Sequence, residues 1–407
     1  MSERIQSNKK YKRIGYFYSN NLFEPVLLLN PCLMKDSIIP FYKRINRRII
    51  QSKDFWVIDS DGKQYVDFES GDWAANLGHS NERIVQAIKN QVDLLIHDGL
   101  NFRNRESEEL SLLILEKLNL TNGKSTFLNS GSEAVNLAIT IAKRLTGRNK
   151  ILKIEGTFLS SYGHGQISDH NENLLSIGYD HIEAMDAIDF AEIAAFVFEP
   201  GNSWGLVKFA PVAFVEALAA VTQNNGGYVI ANEVTTGFGR TGKWFGFQHY
   251  PIQPDIVAMG KGLGNGYPIS AVSISEAVAE TFDKKGFRYA QSHQNDPLGC
   301  AIGTEVIKTF VDTGIIEQSK EKGTFFYEML TNLQQKHPDQ IKEIRARGLM
   351  LAIEFTPEVS AETLRNQLFD AGFIVGCKEN TIRFMPPLTI NETSIWEMIN
   401  AMDKFLN

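Results

Sequence analysis

Lys261 stands in the run Asp255-Ile256-Val257-Ala258-Met259-Gly260-Lys261-Gly262-Leu263-Gly264, where an apolar, strand-like stretch ends and a lysine appears between two glycines. A strand end fixes the lysine in space, and the glycines let a flat ligand approach the backbone. Weak solvation of the ammonium there would lower its pKa and make the amine a nucleophile toward an aldehyde. A lysine that forms a Schiff base implies pyridoxal 5'-phosphate. A bare Gly-Lys-Gly is more often a solvated surface charge, so the reading depends on what surrounds it.

Two further runs supply that context. In Asn129-Ser130-Gly131-Ser132-Glu133-Ala134-Val135-Asn136 a Ser/Gly turn opens into a helix, and free N–H groups at a helix start point at an anion. Alone this is a capped helix; beside Lys261, phosphate binding by Gly131 and Ser132 is the better reading. In Tyr228-Val229-Ile230-Ala231-Asn232-Glu233-Val234-Thr235 a buried strand ends in polar residues, and ligands of open α/β sheets bind beyond the carboxyl ends of the strands. Gly237, Gly239 and Gly242 satisfy the dinucleotide fingerprint, but Lys243-Trp244-Phe245-Gly246-Phe247 is aromatic and broken where an opening helix is required. Gly123-Lys124-Ser125 resembles part of a phosphate loop whose first glycine would fall at Leu118, and reads as a turn. The eight histidines never stand in His-x-x-x-His or His-Glu-x-x-His spacing, so no metal is expected.

The elements that must hold these groups read as alternating strands and helices. An Asp61-Gly62 turn between apolar runs predicts a hairpin over 55–68. Helical spacing covers 106–118 and 133–145, and strands fall at 150–154, 194–198, 228–231 and 256–259. Such alternation predicts an α/β fold with a mostly parallel sheet covered on both faces. Strands at 349–355 and 381–385 with helices at 361–371 and 392–406 predict a smaller α+β domain. The expected division is a large domain over 55–305 and a small one built from 1–54 and 306–407.

Composition fits that scheme. The 407 residues, 43% hydrophobic and 22% charged, can bury a large core. A net charge of -7 argues against a nucleic-acid binder; the short basic clusters at 9–13 and 43–48 read as solvated faces or tails. The longest early apolar run, 26–29, is too short for a membrane span. Three cysteines, Cys32, Cys300 and Cys377, in no metal or redox spacing suit a reducing, cytoplasmic compartment.

Taken in order, Asn232 to Gly242, Pro254 to Lys261 and Asp296-Pro297-Leu298-Gly299-Cys300 closely resemble the class III, or ω-amino-acid, pyridoxal-phosphate aminotransferases, which include acetylornithine, ornithine and 4-aminobutyrate aminotransferases. The resemblance extends from about Phe55 to the C-terminus, through Asp67-Phe68-Glu69-Ser70-Gly71, Leu77-Gly78-His79 and Arg383-Phe384-Met385-Pro386-Pro387. It implies fold type I and transfer of an amino group from an amino acid or ω-amine to a 2-oxo acid, with Lys261 forming the internal aldimine and then moving the proton. Cofactor-binding positions carried over are Gly131, Ser132, Phe158, Glu199, Asn232, Val234, Thr235, Lys261 and Ser292. Phe158 would stack on the pyridine ring, and Ser292 would reach the phosphate of a neighbouring subunit in a homodimer. Arg383 would bind the substrate carboxylate, with Trp73 as an aromatic wall and Arg103 near a distal carboxylate. For Arg383 the alternative is a structural ion pair; for Arg103 it is a plain surface arginine.

Four positions depart from the family pattern. Asn232 replaces the aspartate under the pyridine nitrogen, Thr235 a glutamine, Leu159 a histidine and Asp296 an asparagine, and the further glutamate expected shortly after Glu199 has no counterpart near Trp204. A neutral partner weakens the electron sink. A racemase, epimerase or lyase using the same lysine is therefore the alternative activity, and a non-catalytic relative a third.

Overall fold

Apolar residues at both faces of the central strands dictate a sheet buried between two layers of helices. The computed structural model describes residues 38–39, 41–42, 44–166, 171–179, 181–202 and 206–407; the basic cluster at 9–13, the run at 26–29, Cys32 and Trp204 lie outside them. The chain divides into Met1–Arg47, whose described residues are exposed, and Arg48–Asn407.

The second unit opens with β1 (Ile49–Lys53), β2 (Trp56–Asp59) and β3 (Gln64–Asp67). The expected hairpin joins β2 and β3: Asp59 Oδ1 accepts the Asp61 and Lys63 N–H groups at 2.9 Å, and Gly62 takes φ 84°. Helices α1 (Glu82–Val92) and α2 (Arg105–Leu118) follow. Next come β4 (Lys124–Leu128), α3 (Gly131–Thr146), β5 (Lys150–Ile154), β6 (Leu174–Ile177), β7 (Ile193–Phe198), α4 (Val212–Asn224), β8 (Tyr228–Asn232), β9 (Ile256–Met259) and β10 (Ser270–Ile274). These strands form one seven-stranded sheet in the order β4-β10-β9-β8-β7-β5-β6, parallel from β9 to β6, with β10 antiparallel to both neighbours.

Alternate residues of the parallel strands enter different cores. Phe196, Phe198, Val229, Ala231, Val257 and Met259 pack with Phe214, Val215 and Leu218 of α4. Ala195, Val197, Ile230, Ile256 and Ala258 pack with Val135, Ala138, Ile139 and Ala142 of α3. Burial on both faces is why these strands read as unbroken apolar runs, and each fully buried Leu, Ile or Phe contributes about 1.5–3 kcal/mol.

Helices α5 (Glu276–Lys285), α6 (Pro297–Thr313) and α7 (Ile315–Lys336) lead to β11 (Ile341–Arg347), β12 (Met350–Phe355), α8 (Ala361–Asp370), β13 (Phe373–Ile374), β14 (Gly376–Lys378), β15 (Thr381–Phe384) and α9 (Glu392–Leu406). β11-β12-β15-β14 is an antiparallel sheet, whereas β13 pairs parallel with β3 and ties the early hairpin to the tail. Seven strands escaped the sequence reading: β4, β6 and β10 of the large sheet, and β1, β11, β13 and β14 outside it. The supposed turn at Gly123-Lys124-Ser125 lies one step earlier, at Thr121-Asn122, closed by the Gly123 N–H donating to Leu120 O at 3.0 Å, and β4 starts at Lys124.

Candidate active site

The carboxyl ends of β5, β7, β8 and β9 lie at one edge of the sheet, and the chemistry gathers there. Lys261 follows β9 with φ 43°, a left-handed conformation that costs a non-glycine residue roughly 1 kcal/mol or more. Burial lowers its pKa to about 8; Asp72, Glu199 and Glu69 oppose that shift and Arg383 adds to it. Its Nζ donates to Thr235 Oγ1 at 3.4 Å and lies 3.8 Å from the centre of the Trp73 ring. At neutral pH roughly one such amine in ten is uncharged, as a nucleophile or proton acceptor requires.

Trp73 sits where it does because of an uncommon turn. Ser70, Gly71, Asp72 and Trp73 all have positive φ, between 43° and 70°, making one turn of left-handed helix. Asp67 organises its entrance: one carboxylate oxygen accepts the Glu69 N–H, and the other accepts the Gly71 N–H and contacts His79 Nε2, each at 2.8 Å. A Cβ at Gly71 would come within 3.0 Å of that imidazole. Arg240 closes the turn from below. Its fully buried guanidinium donates to Ser70 Oγ at 3.2 Å, Asn76 Oδ1 at 2.8 Å, Leu349 O at 3.1 Å and Pro386 O. Burial pulls its pKa down to about 9. The glycine fingerprint at 237–242 thus delivers a structural clamp, and only a short 3-10 turn at Gly246–His249, not an α-helix, follows it.

Arg383, on β15, lies over the same indole, its Cζ 4.4 Å from the ring centre. Its Nε and Nη2 meet Glu69 at 3.3 and 3.0 Å, and Trp73 Nε1 donates to Glu69 Oε2 at 3.2 Å. Both readings of Arg383 therefore meet in one group: it is ion-paired, yet it borders Lys261, and its Nη1 has no hydrogen-bond partner among the described residues. Burial pushes the Glu69 carboxyl above the usual carboxylate range, with Arg383 pulling the other way. Glu69 and Arg240 are residues that motif reading missed as parts of the site; the signal was their place beside Ser70-Gly71 and within 237–242.

At the other side, α3 begins. Ser130 is its cap, accepting the Glu133 N–H at 3.3 Å, while Glu133 Oε2 accepts the N–H groups of Asn129 and Ser130 at 2.9 and 2.8 Å. The N–H groups of Gly131 and Ser132 have no acceptor among the described residues, so the helix start presents free donors and a positive dipole end. Only glycine fits at 131, since a Cβ would approach Val234 Cγ1 to 2.5 Å; a Cβ on Gly260 would meet Gly131 Cα at 3.3 Å. The start of α3, Val234 and the Lys261 strand end are thereby locked together. Ser132 Oγ is also engaged, accepting the Ser161 N–H at 3.0 Å.

Asn232 ends β8 and is buried. Its Nδ2 donates to Phe158 O at 3.0 Å and its Oδ1 accepts the Val234 N–H at 3.2 Å, so the amide is oriented by backbone on both sides. Glu199, at the end of β7, is buried and close enough to Lys261 to act on its charge. Leu159, where a histidine was expected, belongs to the core beneath α3. Two expected residues are not brought to Lys261 within this chain. Arg103 is exposed, pairs with Glu108 at 2.7 Å and borders a separate cavity of about 670 Å³ with Phe102, Phe287 and Tyr289. Ser292 is exposed, on a loop that Gln291 ties to Glu133 Oε1.

The residues around Lys261 fit a phosphorylated pyridine aldehyde: a buried amine of lowered pKa, a helix start with unclaimed N–H donors over a glycine that no other residue could replace, and a buried amide at the end of the adjacent strand.

Comparisons with known proteins agree with that chemistry. A family model described as aminotransferase class-III matches residues 41–169 and 161–406. The acetylornithine aminotransferase of Caldanaerobacter subterraneus is 33% identical over 394 residues, 92% of this chain and 98% of that protein. The ornithine aminotransferase of Brevibacillus brevis is 30% identical over 384 residues, 88% of this chain and 93% of its own. Among solved structures, the acetylornithine aminotransferase from Elizabethkingia anophelis superposes with a TM-score of 0.80 at 28% identity, covering 90% of this chain and 95% of that one.

Proposed function

This chain belongs to the class III aminotransferases, and we propose that it carries an amino group from an amino acid or ω-amine to a 2-oxo acid at the site centred on Lys261. It is a pyridoxal-phosphate-dependent aminotransferase of fold type I. When bound, the cofactor supplies an aldehyde that holds the amino group between the two half-reactions and a conjugated ring that accepts electrons from the deprotonated carbon.

The residues divide the remaining work. Gly131 and Ser132 would hold the phosphate by their N–H groups and the α3 dipole. Phe158 would cover one face of the ring, Asn232 would meet its nitrogen as a neutral partner, and Val234 and Thr235 would border its edge. Thr235 Oγ1 keeps Lys261 Nζ in place, so that the amine could take a proton from the substrate carbon and deliver it to the cofactor's aldehyde carbon. Arg383 offers Nη1 to a substrate carboxylate, while Glu69 holds its other edge, and the Trp73 indole shields the amine from water. The single observation that carries the reading is the Lys261 amine, with its pKa near 8, sharing the Trp73 indole with Arg383.

We further assign the working form as a homodimer in which Ser292 reaches the partner's cofactor, with Arg103 a contact for a distal carboxylate of the substrate. Support comes from the exposed apolar run of Leu94, Leu95, Ile96, Leu100 and Phe102 beside the 670 Å³ cavity. The division into a large domain, 55–305, and a small one from both termini is part of the same reading. A cytoplasmic setting suits the free thiols of Cys300 and Cys377; no helix among the described residues is long and apolar enough to cross a membrane.

The test is a panel of amino donors with one 2-oxo acid. New amino acid formed in equal amount to keto product, with a donor-induced shift of the cofactor absorbance, supports transfer. Inversion with deuterium uptake and no keto product would replace it with racemisation.

A further inference from the structure

Away from Lys261, two loops bring together a ligand set that no spacing in the sequence announces. His97 follows α1, and His293 and Asp296 precede α6. His97 Nδ1 lies 2.5 Å from Asp296 Oδ1 and His293 Nδ1 2.6 Å from Asp296 Oδ2, and the ring centres are 4.9 Å apart. One ligand atom from each of the three residues can be chosen so that all lie within 4.8 Å of one another. We propose that His97, His293 and Asp296 bind a divalent transition-metal ion, with zinc the best fit.

The geometry is close to what such an ion needs. Tetrahedral zinc with bonds of about 2.0–2.2 Å sets its ligand atoms roughly 3.3 Å apart, so side-chain rotation would open the two imidazole–carboxylate hydrogen bonds slightly around an ion that replaces their protons. The backbone beneath is already pinned. Asn104 Nδ2 donates to Asn295 O and to Asp98 Oδ2, both at 3.0 Å, which joins the two loops, and Asn295 Oδ1 accepts the Phe127 N–H at 2.8 Å. Asp296 holds the cap position of α6 without spending its carboxylate on the helix N–H groups, so both oxygens face the imidazoles.

Electrostatics favour a cation. Asp98, beside His97, has a buried Oδ1 with no hydrogen-bond partner in the structure, and such an atom points to an ion or water nearby. The positive end of α6 opposes this, but the carboxylates of Asp98 and Asp296 outweigh one helix end of about half a charge. Two imidazoles and one carboxylate select a borderline metal over magnesium or calcium, and leave a coordination position for water. The ion would fasten the loop that carries Ser292 to the loop after α1. Nothing in this argument depends on the proposed roles around Lys261.

Holoenzyme stripped of metal by a chelator and then dialysed against zinc should take up one ion per chain. Cobalt in its place should give visible ligand-field bands outside the cofactor absorbance. His97→Gln, His293→Gln and Asp296→Asn should each weaken binding by at least ~100-fold and abolish the bands, and zinc should raise Tm in the parent alone. All three side chains are at least partly exposed, and retained cofactor absorbance confirms that each variant folds. Uptake by the parent no greater than by the His97→Gln/His293→Gln double variant, or full-strength binding that survives in these variants, would overturn the site.

Discussion

The depressed pKa of Lys261 sets the pH at which apo-protein captures its cofactor. With a pKa of about 8, roughly one amine in ten is neutral at pH 7, against roughly one in three thousand at the ordinary value of 10.5. The site therefore holds about three hundred times more nucleophile. Mixing apo-protein with excess pyridoxal phosphate in a stopped-flow spectrometer should show a capture rate that climbs about tenfold per unit below pH 8 and levels above it. Asp72 is the largest of the anions that keep the ammonium charged, so Asp72→Asn should move the midpoint down, and Arg383→Gln, which removes a like charge, should move it up. The same shift acts on stability. Between pH 8 and 10.5 the unfolded chain keeps a proton at this position that the folded apo-protein has lost, so folding gains with rising pH there, by up to ~3 kcal/mol. Lys261→Met should be more stable than the parent apo-protein by about that amount at pH 7, with the difference vanishing by pH 10.5. A capture rate still climbing steeply through pH 10 would refute the buried-amine argument.

Other substitutions probe the supports. In Asn232→Asp, a carboxylate oxygen would face Phe158 O where the amide now donates at 3.0 Å; apo-protein should lose ~1–3 kcal/mol, with much of it regained when cofactor binds, as read from melts with and without it. Equal losses in both would contradict that orientation. Arg383→Lys keeps the charge but loses the planar edge that meets Glu69; KM for a carboxylate-bearing donor should rise ~10–100-fold, and an unchanged KM would remove Arg383 from the pocket. Arg240→Met leaves Leu349 O, Pro386 O and Asn76 Oδ1 without their donor and should cost ~3 kcal/mol or more in denaturant unfolding. A loss under ~1 kcal/mol would mean that the 70–73 turn holds itself.

What the sequence made legible follows from physics that is local. β7, β8 and β9 are covered on both faces, so their residues are apolar without a break and their ends could be placed almost to the residue. α3 announced itself by Ser130, Glu133 and helical spacing. β4 and β10 did not, because Ser125 and Ser273 face one another across the antiparallel pair and their hydroxyls bond at 2.8 Å, which satisfies polar atoms that otherwise read as loop. β6 is an edge strand, largely half-exposed. The left-handed turn at Ser70–Trp73 has one glycine among four positive φ values; its shape comes from Asp67 and Arg240, the second reaching it from far along the chain. For the same reason Glu69 beside Arg383, and the two histidines on Asp296, could not be read from spacing.

The most direct test of the account is chemical. Borohydride reduction of holo-protein followed by peptide mass mapping should place the pyridoxyl group on Lys261 Nζ, in a peptide containing Gly260 and Gly262. A pyridoxyl group fixed to any other lysine, or a reduced protein whose Lys261 peptide keeps its original mass, would contradict the assignment on which every other role rests.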